Sequence, residues 1–535
     1  MILLAGFLDV IFDAVTLAGL AGAAGGIAFA FAVLLPLRGP LPSSALRDAA
    51  AGVALGAATV AGFQGARLLL APWSLADEQG AWPLGPFLET GFAHAGLLHA
   101  GLAVAVAGAA LRLRRRPGSR RGWTALALVA AALVASRAWL VHAVSRPDDR
   151  ALLMTITDLH QLAAAVWVGG LAHLLALRLR GRRDPARASA WPAVLARFSR
   201  LAFAAVALVV ATGLALAWRY VGGVAALVGT AYGAMVLTKV ALLGMALVLA
   251  AQNRRAVQRW RRAGDRAAAD LRIPFLVEAE AGAAIALLLA AAALTAQPPA
   301  VDVTDQRATL AEVAGVLAPK VPRLVPPPHG PMVAASPSSV DPYAQPGPLD
   351  RWQSDFNHNV AGIVVLLAAV AAFADRWSRL RVARHWPLLF LLLAAFLLLL
   401  AEPNGWPFGP EGFFEVLTSP SVLQHRAATL LVVALAVLEW RVRAGRLAGT
   451  RWRFAFPVLC GVGGALLLTH SHSVLASRWA YLVEVSHNAI GVLAVAAALG
   501  AWLELRLPPR EGRIPAAVWT ASMGLVGLVL LFYRE

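Results

Sequence analysis

The sequence predicts an all-α polytopic membrane protein of about fourteen transmembrane helices in an 8 + 6 arrangement, and three observations carry that reading. Of its 535 residues 59% are hydrophobic and only 14% charged, too little polar surface for a water-soluble chain of this length. Apolar runs of about 20 residues recur along the chain, the length a helix needs to cross a hydrocarbon core. Basic residues gather on alternate loops between those runs, as in RLRRRPGSRR at 112–121, RLRGRRDPAR at 178–187, NRRAVQRWRR at 253–262 and RWSRLRVAR at 376–384.

Residues 1–296 hold eight runs, at 8–36, 50–71, 86–111, 123–145, 152–177, 196–219, 228–251 and 273–296. The first has no basic residue before it and no small-residue cleavage site, so it is expected to stay as a helix rather than be removed as a secretory signal. Residues 297–350, with QPPAVDVTDQ, PKVPRLVPPPHGP and SPSSVDPYAQPGP, are too rich in Pro, Ser and small polar residues to form a core. They read as a linker on the outer side with one short helix near 306–317, whose His329 and Met332 are more simply part of a tether than metal ligands. Residues 351–535 hold six further runs, at 356–374, 386–401, 422–440, 454–470, 484–504 and 514–532.

The formal charge of +18 does not point to nucleic acid, because the basic excess follows the loops. By the positive-inside rule those loops are cytoplasmic, which puts both termini on the periplasmic side of a bacterial inner (cytoplasmic) membrane. The single cysteine, Cys460, excludes an internal disulfide and a thiolate cluster, and six scattered methionines do not make a thioether ladder.

Except for His99, His173 and His385, the histidines fall toward the outer side. In the second half His358, His425, His470, His472 and His487, with Asp355 and Glu484, lie at the outer ends of four helices. Here a short repeat appears: Asp355-Phe-Asn-His358-Asn359-Val-Ala-Gly362 against Glu484-Val-Ser-His487-Asn488-Ala-Ile-Gly491. Residues three apart share a helix face, so each copy presents a carboxylate and an imidazole to one point, although N-capping alone also favours an acid there. Imidazoles with carboxylates suit Cu(II), Zn(II) or iron, the alternative for any single histidine being an interfacial hydrogen bond. The first half has a second constellation, His94, His99, His142 and His160 with Met154 and Asp158. Asp9, Asp13, Arg137 and Lys239 also lie inside the runs and are expected to find ion-pair partners, with a cation path along Asp9, Asp13 and Asp158 as the alternative. Glu278 and Glu280 lie near the inner surface, where solvation is expected to suffice.

The blocks TDLHQLAAAVWVGGLAHL at 157–174, RFSRLAFAAVALVVATGLALAWRYVGG at 197–223 and LVGTAYGAMVLTKVALLGMALVLAAQNRR at 227–255 resemble the copper resistance protein CopD family. HNVAGIVVLL at 358–367, LQHRAATLLVVALAVLEWRVR at 423–443 and LLLTHSHS at 466–473 resemble the carboxyl-terminal region of its longer members. The resemblance implies a copper-handling protein that captures Cu(I) or Cu(II) at the periplasmic face, importing it or handing it on, with His160 matching the family motif. It implies a periplasmic carrier of the CopC type as partner, since no soluble copper-binding domain accompanies these blocks, and no ligand set marks the inner exit. Two other readings stand beside it: a haem b electron-transfer or metal-reducing membrane protein, and a copper-loading factor for periplasmic oxidases without translocation. No catalytic residue is assigned, and the oligomeric state stays open.

Overall fold

The computed structural model describes residues 2–37, 39, 41–79, 82–181, 184–263, 266–335, 346–378, 380–418, 420–469 and 477–535. Among these, 14 helices are long and apolar enough to cross a membrane. Eight precede the linker: Leu4–Leu37, Ser43–Trp73, Gly91–Leu113, Arg120–Leu140, Arg150–Arg180, Ser189–Val221, Ala231–Trp260 and Arg272–Asp302. Six follow it: Pro348–Trp377, Arg381–Leu399, Val422–Arg443, Arg451–Thr469, Arg478–Arg506 and Arg513–Leu531. The chain is an all-α, multi-pass membrane protein, and the spans are called first to fourteenth below.

Local chemistry starts and stops these helices. Thr90 caps the third span by accepting the Ala93 N–H, and Asp184 accepts from Ala186 ahead of Pro185. The sixth span ends at Gly222, whose φ of 76° is open to glycine at little cost. Apolar side chains such as Leu69, Phe203, Leu214 and Trp218 project outward, where lipid replaces water as solvent.

Small residues set how closely the spans approach. The first span relaxes into π-helical turns at Ala21–Gly25 and Ala30–Leu34. There a Cβ at Gly169 would collide with the Ala21 carbonyl, and one at Gly25 with the Ala165 carbonyl. His173 fills the notch left by Gly26 and Gly52 and donates from Nε2 to the Gly22 carbonyl at 2.9 Å, which gives this inner-side histidine a packing role.

The halves are joined by more than the linker. The eighth span packs on the seventh and also against the twelfth and thirteenth, and Leu468 and Val495 share a core with Leu242 and Ala290. In the second half Trp386, Phe456 and Trp519 pack together. The linker packs on the bundle: Ala308 N–H donates to the Gly229 carbonyl, Trp352 Nε1–H donates to the Val325 carbonyl, and Met332 is buried. Its helix runs Leu310–Leu317 and opens with a capping box between Thr309 and Glu312.

Candidate metal centre

The ninth and thirteenth spans carry the two copies of the repeat, and the structure brings their histidines together. In each, the ring Nδ1–H donates to the carbonyl one turn back, His358 to Ser354 at 2.8 Å and His487 to Val483 at 2.9 Å. A carbonyl only accepts, so each ring carries a proton on Nδ1, the orientation common in metal-ligating imidazoles. The rings meet edge to face, 5.6 Å between centroids. Tyr533, just past the fourteenth span, stacks on His358 at 3.9 Å and stands edge-on to His487 at 6.0 Å.

His425 completes the group from the eleventh span. Its Nδ1 lies 2.6 Å from Glu402 Oε1, and the ring is within electrostatic reach of both His358 and His487. Three imidazoles from three spans thus face one region, each with Nδ1 held by an oxygen. Among the described residues, however, no three His, Cys, Asp or Glu side chains stand close enough to hold a metal ion as seated. His470 and His472 lie outside the described residues.

The two acids of the repeat have different surroundings. Asp355, 1% exposed, is paired with Arg323 at 2.9 Å and Arg534 at 3.6 Å, and accepts the Glu535 N–H at 2.8 Å. It anchors the linker and the carboxyl-terminal residues to the ninth span. Asn359 does the same work, donating to Leu530 and Tyr533 carbonyls and accepting from Arg323 N–H and Arg534. Glu484 is buried in the thirteenth span near Tyr481.

The first-half candidates are dispersed by comparison. His99 is fully buried, with Nδ1 2.8 Å from Ser136 Oγ. Because that hydroxyl donates to the Leu133 carbonyl, it accepts from the imidazole, and His99 Nε2 is left buried without a partner. His160 repeats the pattern: its Nδ1 lies 2.9 Å from Thr212 Oγ1, which donates to Leu208. Asp158 Oδ1 is buried without a hydrogen bond. Met154 packs against an apolar cluster containing Tyr220 and Leu294, and His94 is exposed. His142 falls beyond the fourth span in the short helix His142–Ser145, not within the run that ends at 145, and burial pushes its imidazole below the ordinary value.

Several of the intramembrane charges sort into ion pairs. Asp13 accepts from Arg137 at 2.6 Å and Arg67 at 2.5 Å, Asp9 from Arg67 at 2.7 Å, and Thr295 adds a bond to Asp13 at 3.2 Å. Arg67 had not been singled out, although a guanidinium inside an apolar run is the same signal that drew attention to Arg137. Lys239 departs from expectation: no ion pair to it is present among the described residues, and it lies within electrostatic reach of His160. Glu280 departs too. It is only 5% exposed and is satisfied by Trp167 Nε1–H at 3.1 Å and Asn253 Nδ2–H at 2.9 Å rather than by solvent. Glu402 and Tyr533 were not foreseen either, because nothing local marks a loop acid or a terminal tyrosine as a neighbour of histidines on other spans.

Comparison with known proteins agrees with the motif blocks. Residues 192–294 match the family model described as Copper resistance protein D. Copper transport protein CutJ of Bacillus subtilis (strain 168) is 31% identical over 176 residues, which cover 33% of this chain and 31% of that relative. The chain therefore matches about a third of the relative's length. No solved structure matches. Residues 192–294, which fall in the sixth to eighth spans of this helical membrane bundle, are similar to the copper resistance protein D family.

Proposed function

We propose that the protein captures copper as cargo at the mouth formed by His358, His425 and His487 and passes it into or across the membrane. The observation that carries this reading is the shared orientation: all three rings turn Nδ1 to an oxygen, His358 and His487 to carbonyls and His425 to the Glu402 carboxylate. Nitrogen donors of this kind suit copper in either common oxidation state. His470 and His472 are further ligands by sequence. The mouth lies opposite the basic loops, which makes it periplasmic by the positive-inside rule and accessible to a carrier of the CopC type.

The edge-to-face contact of His358 with His487 favours copper over haem at this pair, since it leaves no gap for a macrocycle between the rings. In the first half, His160 and the unpartnered Nε2 of His99 are the imidazoles suited to an onward step. The test is metal analysis of the purified chain together with copper uptake into proteoliposomes. Bound copper that falls with His358→Ala and His487→Ala, alongside lost uptake, supports import. Bound copper with no flux in wild type reduces the function to storage or loading of a partner, and a Soret band would replace copper by haem.

A further inference from the structure

Glu280 sits in the eighth span about two helical turns from the end that carries the basic loops. The buried carboxylates of Asp13, Asp355 and Glu439 each pair with an arginine, as do the half-buried ones of Asp375, Glu278 and Glu504. Glu280 has only neutral donors, the Trp167 indole from the fifth span on Oε1 and the Asn253 amide from the seventh on Oε2. Among the described residues Glu280 makes no ion pair, and its side-chain hydrogen bonds are these two. The nearby arginines are committed, Arg506 to Glu278 and Arg272 to Glu511.

A carboxylate withdrawn from water without a counter-charge is strongly disfavoured, and two neutral hydrogen bonds offset only part of that cost. The simplest neutral form is the acid. We propose that Glu280 is an intramembrane proton-binding site, loaded and unloaded through Asn253. The chemistry is a single protonation: the carboxylate takes a proton from water at the basic face, forming an O–H bond, and returns it there. Asn253 suits the relay because it is half-exposed and its Oδ1 is buried without a partner. Turning the amide replaces the donor facing Glu280 by an acceptor, so the same residue can serve the carboxylate and the acid. Trp167 can donate to either state and fixes the position of the group.

This site does not depend on the copper reading, and neither does its test. Infrared spectra of the full chain in lipid vesicles, recorded in H2O and D2O, are compared between wild type and Glu280→Gln. A carbonyl band of a buried carboxylic acid that shifts in D2O and disappears in Glu280→Gln is expected. Trp167→Phe, which keeps the acid and removes one donor, should move that band without abolishing it, and this arm stands if Glu280→Gln fails to fold. A spectrum with no such band in wild type, or a band unchanged in both variants, overturns the proposal.

Discussion

Tyr533 lies flat on His358, with 3.9 Å between ring centroids and 23° between planes, so the imidazole is fixed by a stacked ring as well as by its bond to Ser354. Tyr533 is 2% exposed and belongs to a carboxyl-terminal segment held down by Asn359, whose Nδ2–H donates to the Tyr533 carbonyl. Groups that orient a metal-binding imidazole usually matter nearly as much as the ligand. Tyr533→Leu is therefore expected to weaken copper binding by roughly 10- to 100-fold while the protein stays folded. Equilibrium copper titration of the purified variant reads this directly, and wild-type affinity would show that the stacking is incidental.

Glu402 should behave in the same way toward His425. The carboxylate accepts the Nδ1–H, with 2.6 Å between nitrogen and oxygen, and so orients the ring. Glu402→Gln keeps an acceptor but removes the charge, so a drop in copper affinity of about 10-fold or more is expected. His94→Ala is the contrasting case, since His94 is exposed and apart from the three converging rings, and its copper titration should match wild type.

The helical fold was legible because lipid imposes it: each apolar run must close its own backbone hydrogen bonds, so hydropathy alone placed a span on each of the 14 helices, with ends that differ by up to nine residues. The repeat was legible for the same local reason, as His358 and His487 lie one turn beyond their acids. What was not legible depends on distant chain. Asp355 looked like a ligand from its spacing, but Arg323 of the linker and Arg534 of the terminus occupy it. Glu280 looked solvated from its depth, yet Trp167 and Asn253 enclose it. Pairing between spans is a tertiary fact, and spacing within one helix does not encode it.

The Asp13 network predicts a stability effect with a definite sign. Asp13 is 2% exposed and neutralises parts of two guanidiniums, Arg67 and Arg137, themselves 7% and 1% exposed. Asp13→Ala leaves those cations facing one another with only Asp9 as counter-ion, a loss expected to cost about 3–5 kcal/mol. Thermal unfolding in detergent should show a marked fall in Tm. Adding Arg137→Met to Asp13→Ala should recover part of the loss by removing the stranded charge, whereas a further fall would place the main contribution outside this pair.

Acid should loosen the linker helix before it disturbs the spans. Backbone and side-chain bonds from Thr309, followed by the Arg478 guanidinium, lower Glu312 to about 2. A carboxyl group whose folded value is depressed contributes stability fully above its ordinary unfolded value of about 4.5, and loses it as pH falls toward the folded value. The capping box and the link to the thirteenth span should therefore persist through mildly acidic pH and weaken between about 4.5 and about 2. Hydrogen exchange of the Leu310–Leu317 amides, referenced to intrinsic rates at each pH, should lose protection across that window. Glu312→Gln should show reduced protection already at neutral pH, with little further loss on acidification. If wild type and variant lost protection together, the helix would be held by its packing on the bundle rather than by the carboxylate.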